Sequence, residues 1–437
     1  MTLYNRPSEG LLNLQTVIGP SPAWNETLRG KRASPSQTDL SREVNVNKLG
    51  AEVKAVYDTA RTYNRIYFLD NIKILLAVFV VLDHAAQPYG PGGGWWIAPE
   101  PQSPLDFIVL GLFMGVIVSF FMGLFFMISA YFMPASLERK GAAKFMKDRL
   151  VKLGVPILIF MFGVLPTMSY LLDHYGQPVI NFYVNYINIF SPKGDLNYGI
   201  TWFLEVLLIF SVIYVAYWLV KKPSSKTTKK AFPGNAAILA FIVTMALMSF
   251  IVRIWAPENY WIPLGLFQPF QFEPFHIVSY GMLFAAGIVA YREGWIDAIP
   301  KATAKLWSGV AILMVPMLAV VALATNNHQF AGGLTVASLL GSFWEAFMGV
   351  SAIIALLAFF RDRFNTQSPF SKALAENTFT VYLLQLPVVV FLQYLLVGVH
   401  VEPLIKFAIV GTLGVLLSFA ISHYVIRRLP YAKSILG

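Results

Sequence analysis

The residues best suited to chemistry lie in one apolar stretch, Leu69-Asp70-Asn71-Ile72-Lys73 followed by Asp83-His84. His84 falls near the far end of that stretch. An imidazole gains and loses a proton near neutral pH, so it can act as a general base toward a hydroxyl. In a membrane helix it can equally be an interhelical hydrogen bonder. Lys73 precedes His84 by eleven residues, about three helical turns, which brings both onto nearly one face. Lys73 can line a polar path on that face or snorkel to the surface, and Asp70, one turn earlier, is within its reach. Asp83 is adjacent to His84 in sequence, points about 100° away on a helix, and is not an obvious orienting partner.

Five further positions need an explanation, because ionisable and amide groups are expensive inside apolar helices. Glu205, in Trp202-Phe203-Leu204-Glu205, is expected at a depth similar to His84. It is the favoured carboxylate to orient or charge-pair with the histidine, with an interhelical hydrogen bond as the alternative. Glu345 is a second candidate near the middle of its stretch. Gln385, in Leu383-Leu384-Gln385-Leu386-Pro387, suits a packing hydrogen bond. Arg149 and Lys152 are three residues apart and share a helical face. They can clamp the phosphates of an anionic donor or serve only as topology signals. The sequence contains no phosphate-binding glycine loop and no metal-ligand spacing.

The elements that must position these residues follow from composition. Of 437 residues, 57% are apolar and only 13% charged, whereas soluble domains carry about a quarter charged. Apolar runs long enough to cross about 30 Å of hydrocarbon recur at 66–87, 107–133, 150–172, 200–220, 235–255, 275–292, 306–324, 336–360, 376–397 and 405–427. The reading is an all-α polytopic membrane protein of about ten transmembrane helices. Basic residues fall in alternate connections. Residues 1–65, the connections before the third, fifth, seventh and ninth spans, and the C-terminal tail hold 29 of the 33 Lys and Arg. Positive charge is retained on the cytosolic side, which puts both termini in the cytosol. That distribution also argues against nucleic acid as the reason for the net charge of +10.

Residues 1–65 differ in kind. They are polar, and residues 1–37 read as disordered. Leu49, Val53, Val56, Tyr57 and Ala60 then follow helical spacing, which suggests an amphipathic helix on the membrane surface before the first span. The opposite connections are aromatic and rich in Pro and Gly: Pro88 to Trp96, Asn181 to Tyr198 and Asn259 to Phe275. They suit irregular interfacial loops, with Trp and Tyr at headgroup level or facing a sugar-like ligand. The chain has no cysteine, which excludes disulfides and a thiol nucleophile.

These residues, in this order, resemble the type 3 membrane acyltransferase family over about residues 65–430. Leu69-Asp70 with His84 is similar to its first-span motif. Met127-Ile128-Ser129-Ala130-Tyr131-Phe132, a basic connection and then Arg149 to Pro156 are similar to its second. WFLEVLL (Trp202 to Leu208), FAAGIVAYREGW (Phe284 to Trp295) and VYLLQLP (Val381 to Pro387) resemble the branch that succinylates periplasmic glucans. The resemblance implies an O-acyltransferase that moves an acetyl or succinyl group from cytosolic acyl-CoA to a hydroxyl of a glycan or lipid-linked acceptor beyond the membrane. Acyl-CoA would be a co-substrate, with no permanently bound cofactor and no metal. It implies that His84 is the essential histidine, assisted here by Glu205, and that Lys73, Arg149 and Lys152 hold the donor. Lys73 and Lys152 stand where the family has Arg, which keeps charge and gives up the bidentate fork. Gln385 stands where the family has a late histidine. The contrasting readings are a permease for a sugar-like or acylated solute, and an inactive sensing or assembly subunit.

Overall fold

Apolar runs as long as a bilayer is thick leave the backbone few ways to satisfy its hydrogen bonds, and helix is the local one. The computed structural model describes residues 66–92, 95–188, 196–221, 230–258, 260, 262–263, 271–430 and 432. The surface helix expected before the first span lies outside the described residues. Ten long helices follow one another: α1 (Tyr67–Ala86), α2 (Pro104–Lys140), α3 (Ala142–Asp173), α4 (Gly199–Lys221), α5 (Asn235–Arg253), α6 (Pro274–Glu293), α7 (Lys301–Ala324), α8 (Val336–Arg363), α9 (Pro369–Leu395) and α10 (Pro403–Arg428). They correspond in order to the ten expected spans. Among the described residues, α2 to α10 are long and apolar enough to cross a membrane. The protein is an all-α, multi-pass integral membrane protein.

The first helix is the exception that matters. It is 20 residues long and carries Asp70, Lys73, Asp83 and His84. It packs above all against α9, and also against α2, α10 and α8. Leu69, Ile72, Leu76, Ala77 and Val81 are fully enclosed. Neighbouring helices, rather than hydrocarbon, surround its polar groups, which is how a helix this charged is tolerated at membrane depth.

The basic connections gather at one end of the bundle. Lys230 pairs with Glu293 at 3.0 Å, Arg361 donates to the Ile299 carbonyl at 2.9 Å, and Asn71 donates to the Phe364 carbonyl at 2.7 Å. Lys406 meets Glu100 at the other end, at 2.7 Å. Two connections are helical, a basic one and one of the outer connections expected to be irregular. The stretch between the second and third spans is helical, as Met133–Lys140 and Ala142–Arg149 joined at Gly141, whose φ of 74° suits glycine. Val179–Ile187 forms a short helix that buries Phe182 and Tyr186. In both, apolar residues at helical spacing override the loop-like composition.

Proline shapes α3. Two π-helical turns, Leu150–Gly154 and Phe160–Val164, each end two residues before a proline, Pro156 and Pro166. Proline cannot donate to the carbonyl four residues back, so the helix widens there instead of closing normally. The first wide turn begins next to Arg149 and contains Lys152.

Close helix contact depends on Gly287 of α6. A Cβ there would lie 2.2 Å from the Met127 carbonyl oxygen of α2. Both backbones would have to part. Gly287→Val is expected to destabilise the protein by about 1–3 kcal/mol or more, read as a lower Tm and loss of the monodisperse peak in detergent. An unchanged Tm would mean that α2 and α6 are not held at this distance.

Candidate active site

His84 occupies the last turn of α1, at the end of the bundle away from the basic connections. Its Nδ1 lies 2.9 Å from Oε1 of Gln385 on α9. Gln385 is fully buried, and its amide nitrogen turns to the Tyr382 carbonyl at 3.5 Å. With the amide oxygen facing the ring, Nδ1 must carry the hydrogen and donate. The neutral ring then has its lone pair at Nε2. A basic nitrogen in a defined tautomer is what general-base chemistry requires.

The residues after α1 fold back over this ring. Trp95 stacks on His84 with centroids 5.0 Å apart and planes at 30°. Its Nε1–H donates to Oε1 of Gln393 at 2.7 Å, and the Gln393 amide donates in turn to the His84 carbonyl at 2.9 Å. Gln385 and Gln393, eight residues apart on α9, thus fix the ring edge and the aromatic cover. Trp95 is therefore not a headgroup anchor of the kind expected for this connection.

Glu205 does not meet His84. It is buried near the start of α4, hydrogen-bonds to Tyr198 of the preceding connection, and keeps Oε2 without a hydrogen-bond partner. The orienting group is the neutral Gln385 rather than a carboxylate. Glu345 is also elsewhere, 3.0 Å from Arg253 Nη2. Asp83 points away from the ring, as expected. Its Oδ2 accepts a long bond from Gln87 (3.4 Å) and its Oδ1 is buried without a partner.

Lys73 lies toward the other end of α1, about 16 Å below His84 along the helix axis. It pairs with Asp70 at 2.6 Å, and its ammonium faces the Phe132 ring at 5.9 Å. Arg149 lies over the Phe145 ring at 5.2 Å. Nearby, Lys140 binds Asp148 at 2.5 Å. Lys73, Arg149 and Lys152 share the basic end. A cavity of about 480 Å³ opens there between Asn71, Ile74, Val78, Phe360 and Phe364, on the face of α1 turned away from His84 by helical spacing.

A second histidine was not singled out by the sequence. His276 begins α6 with its Nδ1 2.6 Å from Glu273 and its Nε2 3.8 Å from Glu345. Glu258, in the connection between α5 and α6, belongs to the same cluster. Burial pushes its carboxyl up to about 6, repulsion from Glu345 and Glu273 adds to this, and His276 and Arg253 oppose it. The cluster joins residues far apart in sequence, so no local spacing announced it.

The helical domain thus holds a histidine bonded to a buried amide at one end and basic side chains at the other. The family model described as an acyltransferase domain, that of the type 3 acyltransferases, matches residues 66–423, and the chain belongs to that family. It is a membrane acyltransferase, which decides against the permease reading. No curated protein and no solved structure matches the chain.

Proposed function

We propose that this acyltransferase moves an acetyl or succinyl group from acyl-CoA, entering from the cytosolic side, to a hydroxyl of a glycan acceptor on the opposite side, with His84 as general base. Both termini and the basic end face the cytosol in this reading, in line with the charge distribution. The observation that carries it is the Nδ1–Gln385 hydrogen bond, which leaves Nε2 of His84 as the proton acceptor.

In this mechanism Nε2 takes the acceptor hydroxyl proton as the oxygen attacks the thioester carbonyl. The new C–O bond forms, the C–S bond breaks, and the proton on Nε2 passes to the departing CoA sulfur. Arg149, Lys152 and Lys73 bind the phosphates of the donor, and the long pantetheine arm covers the distance along α1 to His84. The test is to incubate purified protein with radiolabelled acetyl- or succinyl-CoA and candidate glycans. CoA release that depends on the glycan, with label recovered on it, is the expected result. CoA release indifferent to every glycan would refute the acceptor assignment.

The donor site makes its own prediction. Lys73→Gln, Arg149→Gln and Lys152→Gln should each weaken acyl-CoA binding, because losing a charge-assisted hydrogen bond costs about 1.5–3 kcal/mol, roughly ten- to hundredfold in Kd. Calorimetry with a non-hydrolysable acyl-CoA reads this directly. Unchanged affinity in all three would reduce these residues to topology signals.

A further inference from the structure

The His84 ring has neutral company. Gln385 bonds its Nδ1, and Trp95 lies on one of its faces. The charged groups that the surrounding helices bring to this end are engaged with other partners. Asp83, on α1 itself, turns to Gln87. Asp106 of α2 closes the cap at Ser103, Lys406 of α10 binds Glu100, and Glu345 of α8 binds Arg253. From α9 come the amides of Gln385 and Gln393. Among the described residues, no carboxylate forms an ion pair with the imidazole.

A general base becomes a cation at the moment it works. When Nε2 takes a hydroxyl proton, the O–H bond breaks, an N–H bond forms, and the imidazole gains one positive charge. His84 is half-buried, so water solvates that charge incompletely and a facing group must make up the difference.

The facing group is an aromatic ring. The centroids of Trp95 and His84 are 5.0 Å apart, with planes at 30°. A cation within about 6 Å of a ring centroid is attracted by the negative face of the π system, and tryptophan has the strongest face. The contact is held from both sides. The indole N–H donates to Gln393 Oε1 at 2.7 Å, and the Gln393 amide donates to the carbonyls of His84 and Ala85 at 2.9 and 3.3 Å. These carbonyls belong to the last turn of α1, where regular helical partners run out. One amide thus ties the indole to the turn of backbone that carries the imidazole.

We propose that Trp95 is a positioning residue whose π face stabilises the imidazolium form of His84, in the place that a carboxylate takes in a Ser-His-Asp triad. The charged ring gains more from that face than the neutral ring does. The contact therefore strengthens as the proton is taken, which lowers the barrier without tightening the binding of either substrate. The inference rests on the reading of His84 as general base.

The experiment uses the full chain in lipid nanodiscs, with Trp95 alone replaced by mono-, di-, tri- and tetrafluorotryptophan through a reassigned codon. Fluorine withdraws charge from the ring face and leaves its size and its N–H nearly unchanged. Two quantities are read. The proton affinity of His84 comes from nitrogen NMR of its ring, and kcat from radiolabelled acetyl-CoA with a neutral glucose oligomer. Both should fall stepwise as fluorines are added. Trp95→Leu, which has no π face, should lower kcat about three- to thirtyfold, with KM changed by less than about twofold. Trp95→Phe, with a weaker face, should fall between Trp95→Leu and wild type. A proton affinity that is flat across the fluorinated series overturns the proposal. So does a loss in Trp95→Leu that the series fails to follow, because packing alone would then account for it. A proton affinity that falls while kcat stays flat would instead sink the base role of His84 and leave the Trp95 contact standing.

Discussion

His84→Asn is expected to abolish acyl transfer while leaving a folded protein that still binds acyl-CoA. Loss of a positioned general base costs about 10²–10⁴-fold in rate. Asparagine is the informative replacement because its amide nitrogen can still donate toward Gln385, but the side chain cannot accept and release a proton near neutral pH. His84→Ala removes the ring altogether and unstacks Trp95, so it tests cover and base together. Single-turnover label transfer gives the rate, and calorimetry with the non-hydrolysable donor shows whether the donor site survives. If a well-folded His84→Asn protein transfers at the parental rate, the histidine is structural and the mechanism falls.

The order and number of the helices were legible because two signals converge, apolar runs of bilayer length and alternation of basic connections. Neither depends on tertiary contact. His84 was singled out for a similar reason, since an imidazole in an apolar helix stands out against its surroundings. Its partner was not. A carboxylate is the stronger orienting group by charge, which favoured Glu205, but sequence spacing across different helices does not tell which side chains share a face. Glu205 turns to Tyr198, while Gln385 arrives from α9, 301 positions later in the chain. Trp95 was obscured by composition, because a tryptophan at the end of a span usually reports the headgroup level. Here its indole N–H has a buried amide to bond, Gln393, and this pulls the ring inward. The basic helices between the second and third spans were missed because their charges read as loop. Leu137 and Phe145 are buried there and fix the segments as helix.

A neutral orienting group has consequences of its own. In a histidine paired with a carboxylate, the partner both fixes the tautomer and stabilises the imidazolium that forms. Gln385 supplies only the first service in full. It holds Nδ1–H and leaves Nε2 free to act, and its dipole offers partial help when the ring charges. Gln385→Met, similar in size and apolar, is therefore expected to lower kcat by about 10–10³-fold, since wrong-tautomer substitutions at comparable sites reach about 10⁴. The protein should remain folded, because methionine fills the buried volume flexibly. Gln385→Glu puts an acceptor oxygen back at the same place and should retain far more activity than Gln385→Met. The comparison separates orientation from packing. A cavity or volume effect would injure both variants alike or neither, whereas a hydrogen-bond effect divides them. Measured kcat values for Gln385→Met and Gln385→Glu that agree within twofold would remove Gln385 from the mechanism, and with it the assignment of Nε2 as the basic atom.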